Sequence, residues 1–177
     1  MKKSELKQII REEISNVIFE IGDSTAKKYD WDIRISMPQL VMASFETESG
    51  VYYRVNLHRE DIEVPTGEIN EKGEEITEKM PGIAIVFTAR MPDSTRHSVD
   101  NVVNKGEIFK VMATIVAITK KYLKNEKVIE YSAVKKPGET IDNVQRDKLY
   151  QAFIKAQIPG VKFKQRKKDS AMLAILP

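Results

Sequence analysis

The sequence predicts one α+β domain built on a central mixed β-sheet, with an amphipathic helix in front of it. Three observations carry this. Two runs of alternating apolar and polar residues flank Ser49-Gly50, which is the pattern of a hairpin. Residues 82–90, Gly-Ile-Ala-Ile-Val-Phe-Thr-Ala-Arg, are an apolar run of the kind found in a strand buried on both faces. An apolar helix over residues 107–123 and a strand over 127–134 follow it. Strand, helix, strand is the unit that makes two strands parallel neighbours. A length of 177 residues suits one domain, placed at 23–177, with the N-terminal helix occupying 1–22.

Each element has its own signal. In residues 4–20, Leu6, Ile10, Ile14, Val17 and Ile18 recur at helical spacing and share a face. Lys7, Arg11, Glu12 and Glu13 fill the other face, and Gly22-Asp23 stops the helix. Charges interrupt every apolar stretch, so this is not a secretory signal. Its apolar face is a candidate partner-binding surface. Residues 33–64 read as strands: Ala43, Phe45 and Thr47 alternate before the turn, and Val51, Tyr53, Val55 and Leu57 after it. Pro38 marks a break, because proline donates nothing to a ladder. Residues 65–79 are acidic and polar, and read as a solvent-exposed hairpin or loop between strands. Residues 91–106 form a loop long enough to suspect binding.

The helix at 107–123 is apolar over most of its circumference. Ile108, Val111, Met112, Ile115, Ile118 and Tyr122 lie on one side, with Phe109, Val116 and Leu123 on another, so it packs between layers. Lys120 and Lys121 suit the negative end of its dipole. A last helix over 144–157 turns Leu149, Tyr150, Phe153 and Ile154 inward, and Pro159-Gly160 ends it. Two short strand-like pieces, 161–164 and 172–176, close the chain.

Composition excludes several chemistries. There is no cysteine, hence no disulfide, thiolate zinc site or cysteine nucleophile. His58 and His97 are the two histidines, too few for a histidine metal cage. No apolar run is long enough to span a membrane. Net charge is +3, but residues 1–104 are net acidic and 105–177 net basic. The acidic share gathers in Glu60, Asp61, Glu63, Glu68, Glu71, Glu74, Glu75 and Glu78. The basic share peaks at Lys162, Lys164, Arg166, Lys167 and Lys168, candidates for phosphate contacts of salt-sensitive nucleic-acid binding. Both runs also read as solvated faces that serve solubility. Asp30, Asp32, Glu46 and Glu48 form no calcium-loop pattern. No Gly-x-Ser-x-Gly elbow or Walker-type loop occurs. His58 sits beside Arg59, Glu60 and Asp61 but reads as an exposed strand residue, and His97 lies in the long loop.

The element order, with Asn143-Val144-Gln145-Arg146-Asp147-Lys148-Leu149-Tyr150, resembles the GNAT (acyl-CoA-dependent N-acetyltransferase) fold. That family shows Asn-x-x-Ala-x-x-Leu-Tyr at the start of its last helix. Asn143, Leu149 and Tyr150 hold the matching places, and Arg146 replaces the small residue. The resemblance implies a GNAT-like topology, a general-acid role for Tyr150, and acetyl-CoA held at Lys105, Gly106, Glu107, Ile108 and Asn143. Glu46 or Glu130 would then serve as base. The family's glycine-rich phosphate turn is reduced here to Asn104-Lys105-Gly106-Glu107-Ile108. A carboxylate follows the one glycine, which suits a helix start better than a phosphate cradle.

A second resemblance concerns origin. Residues 1–14, Met-Lys-Lys-Ser-Glu-Leu-Lys-Gln-Ile-Ile-Arg-Glu-Glu-Ile, look like N-termini of tailed-phage proteins. Residues 109–116, Tyr131-Ser132-Ala133 and residues 146–150 are similar to a family of phage proteins with the same hairpin-helix-strand-helix order. Ile18-Phe19-Glu20 matches the cleavage pattern of a phage maturation protease. The resulting expectation is a catalytically degenerate, acyltransferase-like protein that works by protein–protein contact. Its most specific form is a structural or internal virion protein, located in the virion or the infected host's cytoplasm and needing no cofactor. An N-acetyltransferase using acetyl-CoA and a nucleic-acid-binding accessory protein are the two alternatives.

Overall fold

The computed structural model describes residues 27–98, 107–131, 142–168 and 171–177. Seven strands form one sheet in the order β1-β2-β3-β4-β5-β7-β6. β1 is Asp32–Ser36, β2 Leu40–Glu46, β3 Tyr52–Ile69, β4 Glu75–Arg90, β5 Val128–Tyr131, β6 Lys162–Gln165 and β7 Met172–Ile175. Helix α1 spans Ile108–Tyr122 and α2 spans Asp142–Gln157. Every strand pair is antiparallel except β4 with β5, which are parallel. The parallel pair follows from the crossover through α1, since parallel neighbours need a long connection.

The GNAT-like topology expected from the sequence is overturned. The described residues are mostly strand, in one seven-stranded mixed sheet, with two helices of 15 and 16 residues and no long helix. The longest elements are instead β3 and β4, of 18 and 16 residues. The reason lies in residues 65–79, which continue the ladder instead of interrupting it. Val64 pairs with Glu78 and Pro65 with Thr77, and after a register shift Ile69 pairs with Glu75. Only Asn70–Glu74 turns. Asn70 Oδ1 accepts from the amides of Lys72 and Glu74, each at 2.9 Å, and Gly73 takes φ +79°.

One face of the sheet carries both helices. Tyr53, Val55 and Leu57 of β3, Ile83 of β4 and Ile129 of β5 meet Val111, Ile115 and Ile118 of α1 there, all at most 3% exposed. The rings of Tyr29, Phe45 and Tyr53 stack in sequence, with centroids 5.6 and 5.0 Å apart. Burial first, then the nearby carboxylates of Glu107 and Glu48, push the Tyr29 hydroxyl pKa far above its ordinary value. Arg59 joins the layers. Its guanidinium donates to Glu126 at 2.8 Å, to the Tyr122 carbonyl at 2.7 Å and to the Pro38 carbonyl at 3.0 Å. The C-terminal end of α1 thereby receives a cation where its carbonyls lack partners.

The opposite face is divided. Over β5 and β7 it is covered by the distal part of the β3–β4 ribbon. Ile62 and Val64 pack on Val128 and Leu173, with Met80 and Ile175 at the margin, as a second small core. Lys164 Nζ donates to the Pro65 carbonyl at 2.6 Å and Arg166 Nη1 to the Glu63 carbonyl at 3.1 Å. Gly82 permits this closure, because a Cβ there would stand 2.4 Å from Ile62 Cδ1 and 2.9 Å from the Val128 carbonyl oxygen. Over β1–β4 no described residue covers that face.

Candidate functional site

Strand alternation sets the residues of the open face. Since Tyr53, Val55 and Leu57 point to the helices, Tyr52, Arg54, Asn56 and His58 point away. Register extends the pattern across strands. Ser44 of β2 and Thr88 of β4 flank Arg54, Glu46 and Arg90 flank Tyr52, and Met42 and Val86 flank Asn56. Arg34 Nε donates to Ser44 Oγ at 3.0 Å. One row across the sheet therefore reads Asp32, Ser44, Arg54, Thr88 and ends on His97, with Arg34 reaching Ser44 from the β1 irregularity and pairing with Asp32. The turn after β4 brings His97 there by pairing Ser98 with Ala89 through two 2.9 Å backbone bonds.

The cluster around His97 is cationic and aromatic. His97 Nδ1 lies 3.3 Å from Thr88 Oγ1, and its ring meets the Tyr52 ring edge-on at 5.7 Å. Arg90 Cζ sits 5.2 Å from the centroid of the same tyrosine, a cation–π contact. Arg90 also donates to the Ser94 carbonyl at 3.3 Å. Desolvation lowers the His97 pKa, and the charges of Arg54 and Arg90 lower it further. No carboxylate of a described residue forms an ion pair with Arg54 or Arg90. Asn56 Oδ1, one step along β3 on this face, is buried without a hydrogen-bond partner among the described residues. Beside the cluster, at the β1–β2 edge, a cleft of about 490 Å³ is lined by Trp31, Arg34, Glu46, Tyr52 and Lys110 among others. Val86 and Met37 are 43% and 58% exposed.

The residues singled out by sequence take separate structural roles where they are described. Tyr150 is buried at the sheet–helix interface, edge-on to Phe87 at 6.0 Å and to Tyr131 at 5.7 Å. It lines an apolar void of about 20 Å³, the size of a methyl group or a water molecule. Glu107, at the start of α1, accepts from Ser49 N at 3.1 Å and Ser49 Oγ at 2.7 Å, so its carboxylate ties the helix to the β2–β3 turn. Ile108 packs against the main core. Asn143 lies in the first turn of α2. Lys105 and Gly106 lie outside the described residues, as does the partner-binding face of Leu6, Ile10, Ile14, Val17 and Ile18. Of the two candidate bases, Glu130 is held by Arg166 at 3.0 Å, and Glu46 is exposed on the open face.

The basic segment is partly consumed by the fold. Lys164 and Arg166 hold the recurved ribbon, while Lys162, Lys167 and Lys168 stay exposed. Among the described residues no group of three or more His, Asp or Glu stands where it could hold a metal ion. No described helix is long and apolar enough to cross a membrane. Sequence reasoning missed Tyr52, Arg54 and Arg90. Their signal was the outward parity of the two strands it did find, which places every second residue on the other face. No family model, curated protein or solved structure matches the chain.

Proposed function

We propose that this chain is a binding protein that works by contact with another protein, through the open sheet face over β1–β4. One observation carries the reading: the described part of that face is a mixed surface on which Val86 is 43% exposed and Arg54 has no ion-pair partner among the described residues. A partner that covers Val86 and brings a polar group to Arg54 would bury the one and pair the other. The more specific version, a structural or virion-associated phage protein, is supported by the resemblance at residues 1–14 and 18–20. The test is site-specific photo-crosslinking in producing cells. A crosslinker at position 86 is expected to capture a discrete protein, and one at position 162 is not. Capture that is equal at both positions, or absent at 86, overturns the reading. Isolation of phage particles from the same cells, probed for this chain, checks the virion version.

A further inference from the structure

On the open face Arg34 is held by Asp32 and Ser44, but Arg54 and Arg90 pair with no carboxylate of a described residue. Arg59 and Arg166 each bind a carboxylate and a backbone carbonyl. Arg54, in the centre of the sheet, has no such partner among the described residues, and Arg90 holds only a carbonyl and a ring. Two guanidiniums flanking one imidazole cost mutual repulsion that an arriving anion relieves. A single aromatic ring, Tyr52, lies among them, and it is already in contact with Arg90 and His97. The stacking ladder that single-stranded nucleic acid uses is therefore missing from the described part of this face. Apolar side chains do lie beside the cations: Met42 and Val86 flank the next position of β3, while Glu46 and Arg90 flank Tyr52 on the other side of Arg54.

Resting on the reading of this face as a protein contact, we infer that it takes an acidic peptide segment of the partner. Its carboxylates dock on Arg54 and Arg90 beside His97, and its apolar side chains lie on Met42 and Val86. Guanidinium forks match carboxylates in a two-point geometry that lysine does not offer. The charge on this face therefore selects the partner as well as holding it.

The test is a titration of the full chain followed by amide NMR, with two ten-residue peptides. One alternates glutamate with leucine and serine, and the other carries lysine in place of glutamate. The acidic peptide is expected to shift the amides of Arg54, Thr88, Arg90 and His97, and to bind about tenfold more weakly between 50 and 200 mM salt. The R54Q/R90Q double variant is expected to lose about tenfold in affinity with an unchanged melting midpoint. Equal binding of the two peptides, or undiminished binding by the double variant, overturns the inference. So does a ten-nucleotide oligothymidylate that shifts the same amides at lower concentration than the acidic peptide. In any of these cases, protein capture at position 86 that persists leaves the contact reading standing, and capture that disappears removes both.

Discussion

At residue scale, Gly82 illustrates how one missing side chain permits a tertiary contact. Its backbone is ordinary strand, so the requirement is space and not conformation. Ile62 Cδ1 occupies the volume that a Cβ would need, and the Val128 carbonyl closes the other side. Gly82→Ala is expected to lose about 1–3 kcal/mol by overpacking, measured by urea unfolding. Measured in an Ile62→Ala background, the Gly82→Ala penalty should shrink but not vanish, because the Val128 carbonyl oxygen stays in place. A loss below about 0.5 kcal/mol, within the range of an ordinary surface change, would mean that the ribbon does not close here. His97 gives a second prediction. Desolvation and the two neighbouring arginines depress its pKa below 6.5, so folding favours the neutral ring. Its contribution to stability is complete above pH 6.5 and is lost as pH falls through the lowered folded value. Removing the charges in R54Q/R90Q should raise the His97 pKa part of the way back, with desolvation still in force. Titration of the ring proton by NMR reads this directly, and an unmoved pKa would place the arginines outside its field.

At the scale of elements, the β3–β4 ribbon is where sequence and structure part. The hairpin at Ser49-Gly50 was legible because Phe45 and Tyr53 belong to alternating runs, and those two rings do stack across the strands. The parallel β4–β5 pair was legible because an apolar helix stands between two apolar strands. The turn at residues 70–73 was legible too, but the ladder through residues 60–80 and the core it closes were not. The charges there report exposure on one side of a ribbon, while Ile62, Val64 and Met80 seal the second core on the other. Pro65 and Gly67 look like breakers, yet each sits where the ladder tolerates it, next to the register shift. The site was half legible for a related reason. Alternation identified the buried partners Tyr53 and Val55, while the cluster needs the residues between them and a histidine returned by a distant turn. The ribbon also makes a prediction by parts. Replacing residues 66–76 with a two-residue Asn-Gly turn should leave thermal stability nearly unchanged, since Ile69 and Ile76 are 61% and 37% exposed. Ile62→Ala should cost roughly 2–4 kcal/mol. A large loss from the truncation would show that the tip, and not the second core, anchors the ribbon.

At the scale of the whole molecule, the fold sets the acidic ribbon and the basic C-terminal strands side by side. The acidic ribbon lies against the basic C-terminal strands, where Glu63, Glu74 and Glu75 share a cleft with Arg166, Lys167 and Lys168. Arg166 of that cleft pairs with Glu130 of β5, the two side chains being 12% and 22% exposed. Arg54 and Arg90 have no ion-pair partner among the described residues. The start of α1 points in the same direction. Its carboxylate, Glu107, is already spent on Ser49, and it brings a negative charge to the end of the helix where an acyl-CoA phosphate would need a positive one. Tyr150 lies in the core beside a void far smaller than an acyl thioester. Saturating acetyl-CoA is therefore expected to leave the melting midpoint unmoved. A ligand at about 100 times its Kd adds roughly 2.7 kcal/mol, a rise of about 5–10 °C for a domain of this size. A rise of that size, abolished by Tyr150→Phe, would return the chain to acyl-transfer chemistry and make the open sheet face secondary. No rise, together with peptide-induced shifts at Arg54 and Arg90, would place its activity on the sheet face of Arg54 and Arg90.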